Sequence, residues 1–159
     1  MNSVVHFEMP YDDAKRMAKF YQSAFGWKTQ DLGEEMGHYV LATTADSDDE
    51  GSPKETGRIN GGFYPKNTDY PAQYPSVVIA VDSIADAMKS VHKAGGEVLG
   101  EPMEIPGVGQ YVAFMDTEGN RVSMLQPLPR GQRDVHSEKG ESRTSAQPKP
   151  KSQSTRKTG

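Results

Sequence analysis

The stretch Val4-Val5-His6-Phe7-Glu8-Met9-Pro10 decides how the rest of the chain is read. Side chains alternate faces along an extended strand. Val5, Phe7 and Met9 therefore share one face, which wants a core, and Val4, His6 and Glu8 share the other. An imidazole and a carboxylate side by side suit the wall of a site better than a core. Pro10-Tyr11-Asp12-Asp13 stops the strand and offers an N-cap. Ala14, Met17, Phe20, Tyr21, Ala24 and Phe25 follow at helical spacing, with Gly26 as a C-cap and Trp27 just beyond as a packing residue. Met17, Phe20 and Phe25 are expected in the core.

The same order returns near residue 76. Ser76-Val77-Val78-Ile79-Ala80-Val81 reads as a strand, and Asp82-Ser83 caps a helix carrying Ile84, Ala87, Met88 and Val91. Gly95-Gly96 ends that helix. Further strands are expected at Lys28–Leu32, Gly37–Thr44 and Ile59–Tyr64 in the first half. The second half offers Glu97–Leu99, broken by Pro102 to Val108, then Gln110–Met115 and Arg121–Gln126 around a hairpin at Asp116–Asn120. Each half is strand, helix, strand, strand, strand. The fold class is α+β, two tandem βαβββ modules at about 3–65 and 76–127 within a domain spanning 1–129. Each module covers one sheet face with its helix, and the paired curved sheets enclose a cavity. The glycines of Asn60-Gly61-Gly62 suggest a bulge or the close approach of a ligand.

Composition narrows the chemistry. The 159 residues contain no cysteine, so disulfides and thiolate metal sites are excluded. No apolar run approaches the ~20 residues needed to span a bilayer, and Met1-Asn2-Ser3 leads straight into a strand, so a soluble cytoplasmic protein is expected. Residues 1–129 hold 10 Lys and Arg against 19 Asp and Glu, whereas 130–159 hold 8 against 3. The acidic body argues against specific nucleic-acid binding and weakly favours cationic ligands. The segment 130–159, poor in apolar residues, is expected to be a disordered basic tail, and its His136 to play no part in a site. Residues 45–57 read as a mobile polar loop. The acidic run Asp46–Glu50 lacks the alternating ligands and closing glutamate of a calcium loop.

The sequence resembles the vicinal oxygen chelate superfamily, the group of glyoxalase I, bleomycin-resistance proteins and extradiol dioxygenases. The resemblance lies in His6 ahead of Asp12, the Phe20-Tyr21 pair and Phe25-Gly26-Trp27, then Val81-Asp82 ahead of the second helix. Gly95-Gly96 and Asp116-Thr117-Glu118-Gly119-Asn120-Arg121-Val122 complete it, over about residues 3–127. It implies modules that pair into a cavity, commonly across a homodimer. It also implies a divalent ion (zinc, nickel or iron) held by one side chain from the first and last strand of each module. Carried over, the first ligand falls on His6 and the second on the strand around Asn60, Gly61 and Gly62. The third falls on or beside Ser76 and the fourth on Ser123. Serine hydroxyls are poor ligands for such ions, so His6 is the one side chain of the set suited to a metal.

The expected function is accordingly the binding of a small organic molecule in the cavity, without a catalytic metal. The alternative is a divergent metal-dependent lyase, isomerase or dioxygenase of the glyoxalase type. His6 and Glu8 are the candidate catalytic pair, Glu8 tuning the imidazole near neutrality. The bland reading of His6 is a strand histidine hydrogen-bonded to a neighbour. Ser76 and Ser123 are candidate ligand-binding residues, and parity places Val78, Ala80, Arg121 and Leu125 on their faces. Tyr39, Asn60 and Tyr111 are further candidates for the wall, each equally compatible with surface or core. His38 is expected at an exposed strand start and His92 at the edge of a helix stripe.

Overall fold

The computed structural model describes residues 1–69 and 72–129, and the expected tail at 130–159 lies outside the described residues. Strand β1 (Val4–Tyr11) leads into helix α1 (Ala14–Phe25), then β2 (Lys28–Asp31), β3 (Val40–Thr43) and β4 (Asn60–Pro65). The second module repeats this as β5 (Ser76–Ala80), α2 (Ile84–Lys93), β6 (Glu97–Ile105), β7 (Gly109–Met115) and β8 (Arg121–Pro127). The caps follow from side-chain chemistry. Asp13 accepts from the Arg16 N–H at 2.9 Å, Ser83 accepts from Asp86, and Gly26 closes α1 with φ of 70°.

The two halves form one sheet. Its order is β2-β3-β4-β1-β5-β8-β7-β6, so each module's first strand lies at the joint. In each half the first and last strands pair in parallel, β1 with β4 and β5 with β8, and the rest is antiparallel. β1 and β5 pair antiparallel, with Glu8 opposite Ser76 and His6 opposite Val78. A four-stranded half alone would leave the N–H and C=O groups of β1 or β5 as an open edge, and joining the modules within one chain satisfies both rows. The sheet curls without closing. Side chains of β1 and β8 meet across the intervening β5, as Glu8 and Ser123 do at 3.1 Å.

The helices cover the convex face. α1 lays Ala14, Met17 and Tyr21 on Phe7, Met9, Tyr11 and Phe63. α2 lays Ala87, Met88 and Val91 on Ile79, Val112, Phe114 and Met124. Trp27 packs on this side, its ring 4.6 Å from that of Tyr21. Phe20 and Phe25 depart from expectation, standing 58% and 62% exposed. They lie on the flank of the helical stripe, where Tyr21 and Trp27 already fill the space above Phe63. Pro102 also fails to break β6, which runs through it with a register shift between Leu99 and Met103. β6 is an edge strand, so a residue without an N–H forfeits no ladder bond on the open side. The expected strand at Gly37–Thr44 is shortened by a 3-10 turn at Glu34–Met36, between Gly33 and Gly37, both with positive φ.

Candidate functional site

The face of β1 opposite α1 carries His6 and Glu8, as alternation requires. Glu8 is 7% exposed and Ser123 on β8 is fully buried. Glu8 Oε2 accepts from the Tyr111 hydroxyl at 3.0 Å and from Ser123 Oγ at 3.1 Å, and those two hydroxyls lie 2.6 Å apart. A carboxylate of the first module is thus held by two hydroxyls of the second. Burial raises the Glu8 pKa from its usual value, opposed by the Tyr111 and Ser123 hydrogen bonds and the Arg121 charge. Burial also raises the Tyr111 hydroxyl well above the ordinary phenol range, and the charge of Glu8 adds to it.

His6 sits in a separate arm of the cluster. Its Nε2 is 2.9 Å from the Tyr39 hydroxyl, and burial lowers its pKa to about 4. The expected pairing of His6 with Glu8 does not form, and the imidazole is held neutral rather than tuned near neutrality. The cause is desolvation, which disfavours the cation. The His6 ring is instead hydrogen-bonded to a tyrosine of its own module. Tyr39, also buried, has its pKa raised well above the phenol range by burial and by the charge of Glu8.

The glycines of β4 make room for this arrangement. A Cβ at Gly61 would overlap the Phe7 ring on the convex side, and one at Gly62 would overlap the Tyr39 ring on the concave side. The close approach expected of a ligand is made by the protein's own rings. Two residues beyond Gly62, Tyr64 lies under Arg121, whose guanidinium carbon is 5.9 Å from the ring centre. Strand alternation from Gly62 could have singled out Tyr64. Sequence reading did not do so, because one Tyr in a short strand carries no signal of its own.

The remaining expected residues divide. Ser76, opposite Glu8 on β5, has a buried hydroxyl that finds no hydrogen-bond partner among the described residues. Asn60 does not join the Glu8 cluster. Its Oδ1 accepts from the Thr44 N–H at 2.9 Å, and its Nδ2 donates to Ser47 Oγ at 2.7 Å and to the Gly51 carbonyl at 3.1 Å. It clamps the 44–51 loop to the sheet. His38 is exposed, 3.9 Å from Asp31, and His92 is exposed on α2. A separate cleft of about 650 Å³ opens beside β3, lined by Lys28, Thr43, Asp46, Lys54, Glu55 and Arg58, remote from Glu8.

The cluster does not fit a transition metal. The positions that would supply donors hold an imidazole turned to Tyr39, a glycine, a serine and a second serine committed to Glu8 and Tyr111. Among the described residues, no group of three His, Cys, Asp or Glu side chains is placed to share an ion.

Comparison with known proteins agrees with this architecture. A glyoxylase-like domain-containing protein of Didymella fabae is 30% identical over 120 residues, 71% of this chain and 84% of that protein. A putative glyoxylase, CFP32, of Mycobacterium bovis is 37% identical over 54 residues, 34% of this chain but 21% of its own length. Among solved structures, methylmalonyl-CoA epimerase in complex with methylmalonyl-CoA and NH4+ has a TM-score of 0.59 at 14% identity, over 80% of this chain and 96% of that one. A hypothetical protein from Bacillus halodurans gives 0.56 at 16% identity, over 81% and 96%. At these identities the structural likeness concerns the fold. No helix among the described residues is long and apolar enough to cross a membrane. With residues 3–124 matching the family model, the chain belongs to the Glyoxalase/Bleomycin resistance protein/Dioxygenase superfamily.

Proposed function

We propose that this protein binds a small organic molecule on the concave face of its sheet, around Glu8, without a catalytic metal. The observation that carries the reading is the buried Glu8 carboxylate, held by two hydroxyls of the other module, one of them on Ser123, the position on which the resemblance puts an ion ligand. A buried carboxylate needs partners, and Tyr111 and Ser123 supply them without an ion. The methylmalonyl-CoA epimerase structures, one solved with an organic substrate, share this fold, which supports a small-molecule role for the face. The reading includes a homodimer in the cytoplasm.

The test combines metal analysis with a ligand screen by thermal shift, each run with and without a strong chelator. The expected result is substoichiometric metal and an organic ligand whose stabilisation is indifferent to the chelator. Stoichiometric nickel, zinc or iron that is lost on His6→Ala would sink the metal-free reading. Sedimentation of the same sample reports the subunit count.

A further inference from the structure

The cleft beside β3 has the sheet as one wall and a clamped loop as the other. Lys28 of β2 stands directly opposite Thr43 of β3. Val40 and Ala42 alternate with Thr43 and sit in the core under α1, so Thr43 and Lys28 point away from that helix. Cross-strand neighbours stand about 4.5–5.5 Å apart at Cβ, which sets the Lys28 stem beside the Thr43 hydroxyl. The loop wall runs from Thr44 to Arg58. Asn60 ties it at Ser47 and Gly51, and the Lys54 N–H donates to the Asp46 carbonyl at 2.9 Å. Asp46 and Lys54 are thereby held together at a cleft of about 650 Å³, a size suited to a small molecule.

The lining is polar and partly uncommitted. Gly26 and Ala45 are its only described members without a polar side chain. Of the ten Lys and Arg residues in the acidic 1–129 body, three meet here: Lys28, Lys54 and Arg58. Arg58 binds Glu55 at 3.0 Å, so those two charges cancel. Thr44 and Ser47 give their hydroxyls to the Ile59 and Ala45 carbonyls. The Lys28 and Lys54 ammonium groups, the Thr43 hydroxyl and the Asp46 carboxylate have no hydrogen-bond or ion-pair partner among the described residues. We propose that this cleft is a second binding site, for a small hydroxylated phosphate ester, with its phosphate on Lys28, Thr43 and Lys54 and its hydroxyls donating to Asp46. A phosphate ester carries a charge of about −1.5 to −2 at neutral pH, which two ammonium groups match. Lysine serves as a point charge for phosphate, and the hydroxyl adds a directed donor. Asp46 repels a bare anion but accepts from a hydroxyl, so it favours the ester over inorganic phosphate. The negative charge of the rest of the body is screened beyond about 8 Å at physiological salt, so the local ammonium groups decide. The site lies at the β2 end of the sheet, beyond β4, and uses none of the Glu8 cluster. It stands whether or not that cluster binds a ligand.

Ribose 5-phosphate, ribose and inorganic phosphate, titrated into the full chain at fixed ionic strength, test it by backbone amide NMR. Ribose 5-phosphate is expected to shift the amides of Lys28, Thr43, Asp46 and Lys54 and to leave Glu8 and Ser123 in place. It should bind about tenfold more tightly than inorganic phosphate, the effect of one hydrogen bond to a charged group. Ribose should cause no shift there at the same concentration. Lys28→Met and Lys54→Met should each weaken ribose 5-phosphate about tenfold. Lys93→Met, which removes the same charge from α2, should not. Asp46→Ala should bring the ester and inorganic phosphate within about twofold of each other. All four side chains are exposed, so these variants keep the fold, and their amide spectra verify it. No shift at the cleft with ribose 5-phosphate, or binding indifferent to Lys28 and Lys54, overturns the site. Equal binding of the ester and inorganic phosphate to the unaltered chain, an adventitious ion only, overturns the ligand class.

Discussion

Tyr111 and Glu8, 103 residues apart in sequence, meet at 3.0 Å on the concave face and tie the two modules together through a side-chain hydrogen bond. Tyr111→Phe removes that donor and leaves Ser123 as the one hydroxyl on Oε2. The expected loss is about 1–2 kcal/mol of stability, the usual consequence of deleting one bond to a buried charged group. The Glu8 pKa should rise further, because the hydrogen bond that opposes burial is gone. Urea denaturation and a carboxyl-resolved NMR titration read the two effects. A double-mutant cycle with Glu8→Gln then isolates the coupling, and a coupling near zero would show that the contact does not hold the modules together.

His6 gives the fold a definite pH response. Its pKa is about 4 in the folded protein against 6.5 for the free side chain. Between those values the unfolded chain binds more protons than the folded one, so stability rises with pH. The contribution is complete above 6.5 and is lost as pH falls toward 4, about 3 kcal/mol in all. Chemical denaturation across that window should show this slope, and His6→Gln should flatten it. Glu8 acts with the opposite sign. Its raised pKa means the folded state holds a proton that the unfolded state has released, so stability falls as pH climbs from 4.5 through the folded value. Glu8→Gln should remove that decline. A slope unchanged in both variants would assign the pH response elsewhere.

Gly62 is where the packing of β4 is least tolerant on the concave side. A methyl group there meets the Tyr39 ring, whose hydroxyl is committed to His6. Gly62→Ala should therefore cost about 1–3 kcal/mol, the range for inserting volume into a packed site. It should also raise the His6 pKa by opening its surroundings to water. Combining it with Tyr39→Ala removes the collision, so the double variant should be more stable than the two single losses predict. Calorimetry on the four proteins measures this, and strict additivity would show that the ring and the glycine do not share space.

The fold was legible because its signals are periodic and local. Alternation in β1 separated His6 and Glu8 from Phe7 and Met9, and both helix caps could be read from Asp13 and Ser83. The joining of the halves through β1 and β5 was not legible, because edge pairing between distant strands leaves no local mark. Of the hydrogen-bonded cluster around Glu8, the members were easier to read than their pairings. Glu8, Ser76, Tyr39, Tyr111 and Ser123 were all candidates, yet the Glu8 partners lie 103 and 115 residues away, set by the curl of the sheet. The exposure of Phe20 and Phe25 was hidden for a related reason. Helical spacing marks a stripe, but Trp27 from the following segment decides how much of that stripe is covered.

Asn60 separates a clamp from a ligand contact. It satisfies Thr44, Ser47 and Gly51 at once, and no hydrogen bond joins it to Glu8, Tyr111 or Ser123. Asn60→Ala should lose about 1–2 kcal/mol from the broken bonds, which are partly buried at Thr44 and Ser47 and exposed at Gly51. It should also loosen the 44–51 segment, whose other ties include the Thr44 hydroxyl to the Ile59 carbonyl, the Lys54 N–H to the Asp46 carbonyl and an isolated bridge between Ser47 and Pro53. Local opening raises amide exchange and proteolytic cutting without unfolding the rest. Exchange should therefore speed at Thr44 and its loop neighbours while β1, β5 and β8 keep their protection. Concave-face binding measured on the same variant should stay within about twofold of the unaltered chain, as expected for a substitution outside the contact set. Loss of binding with loop protection intact would instead return Asn60 to the wall of the site.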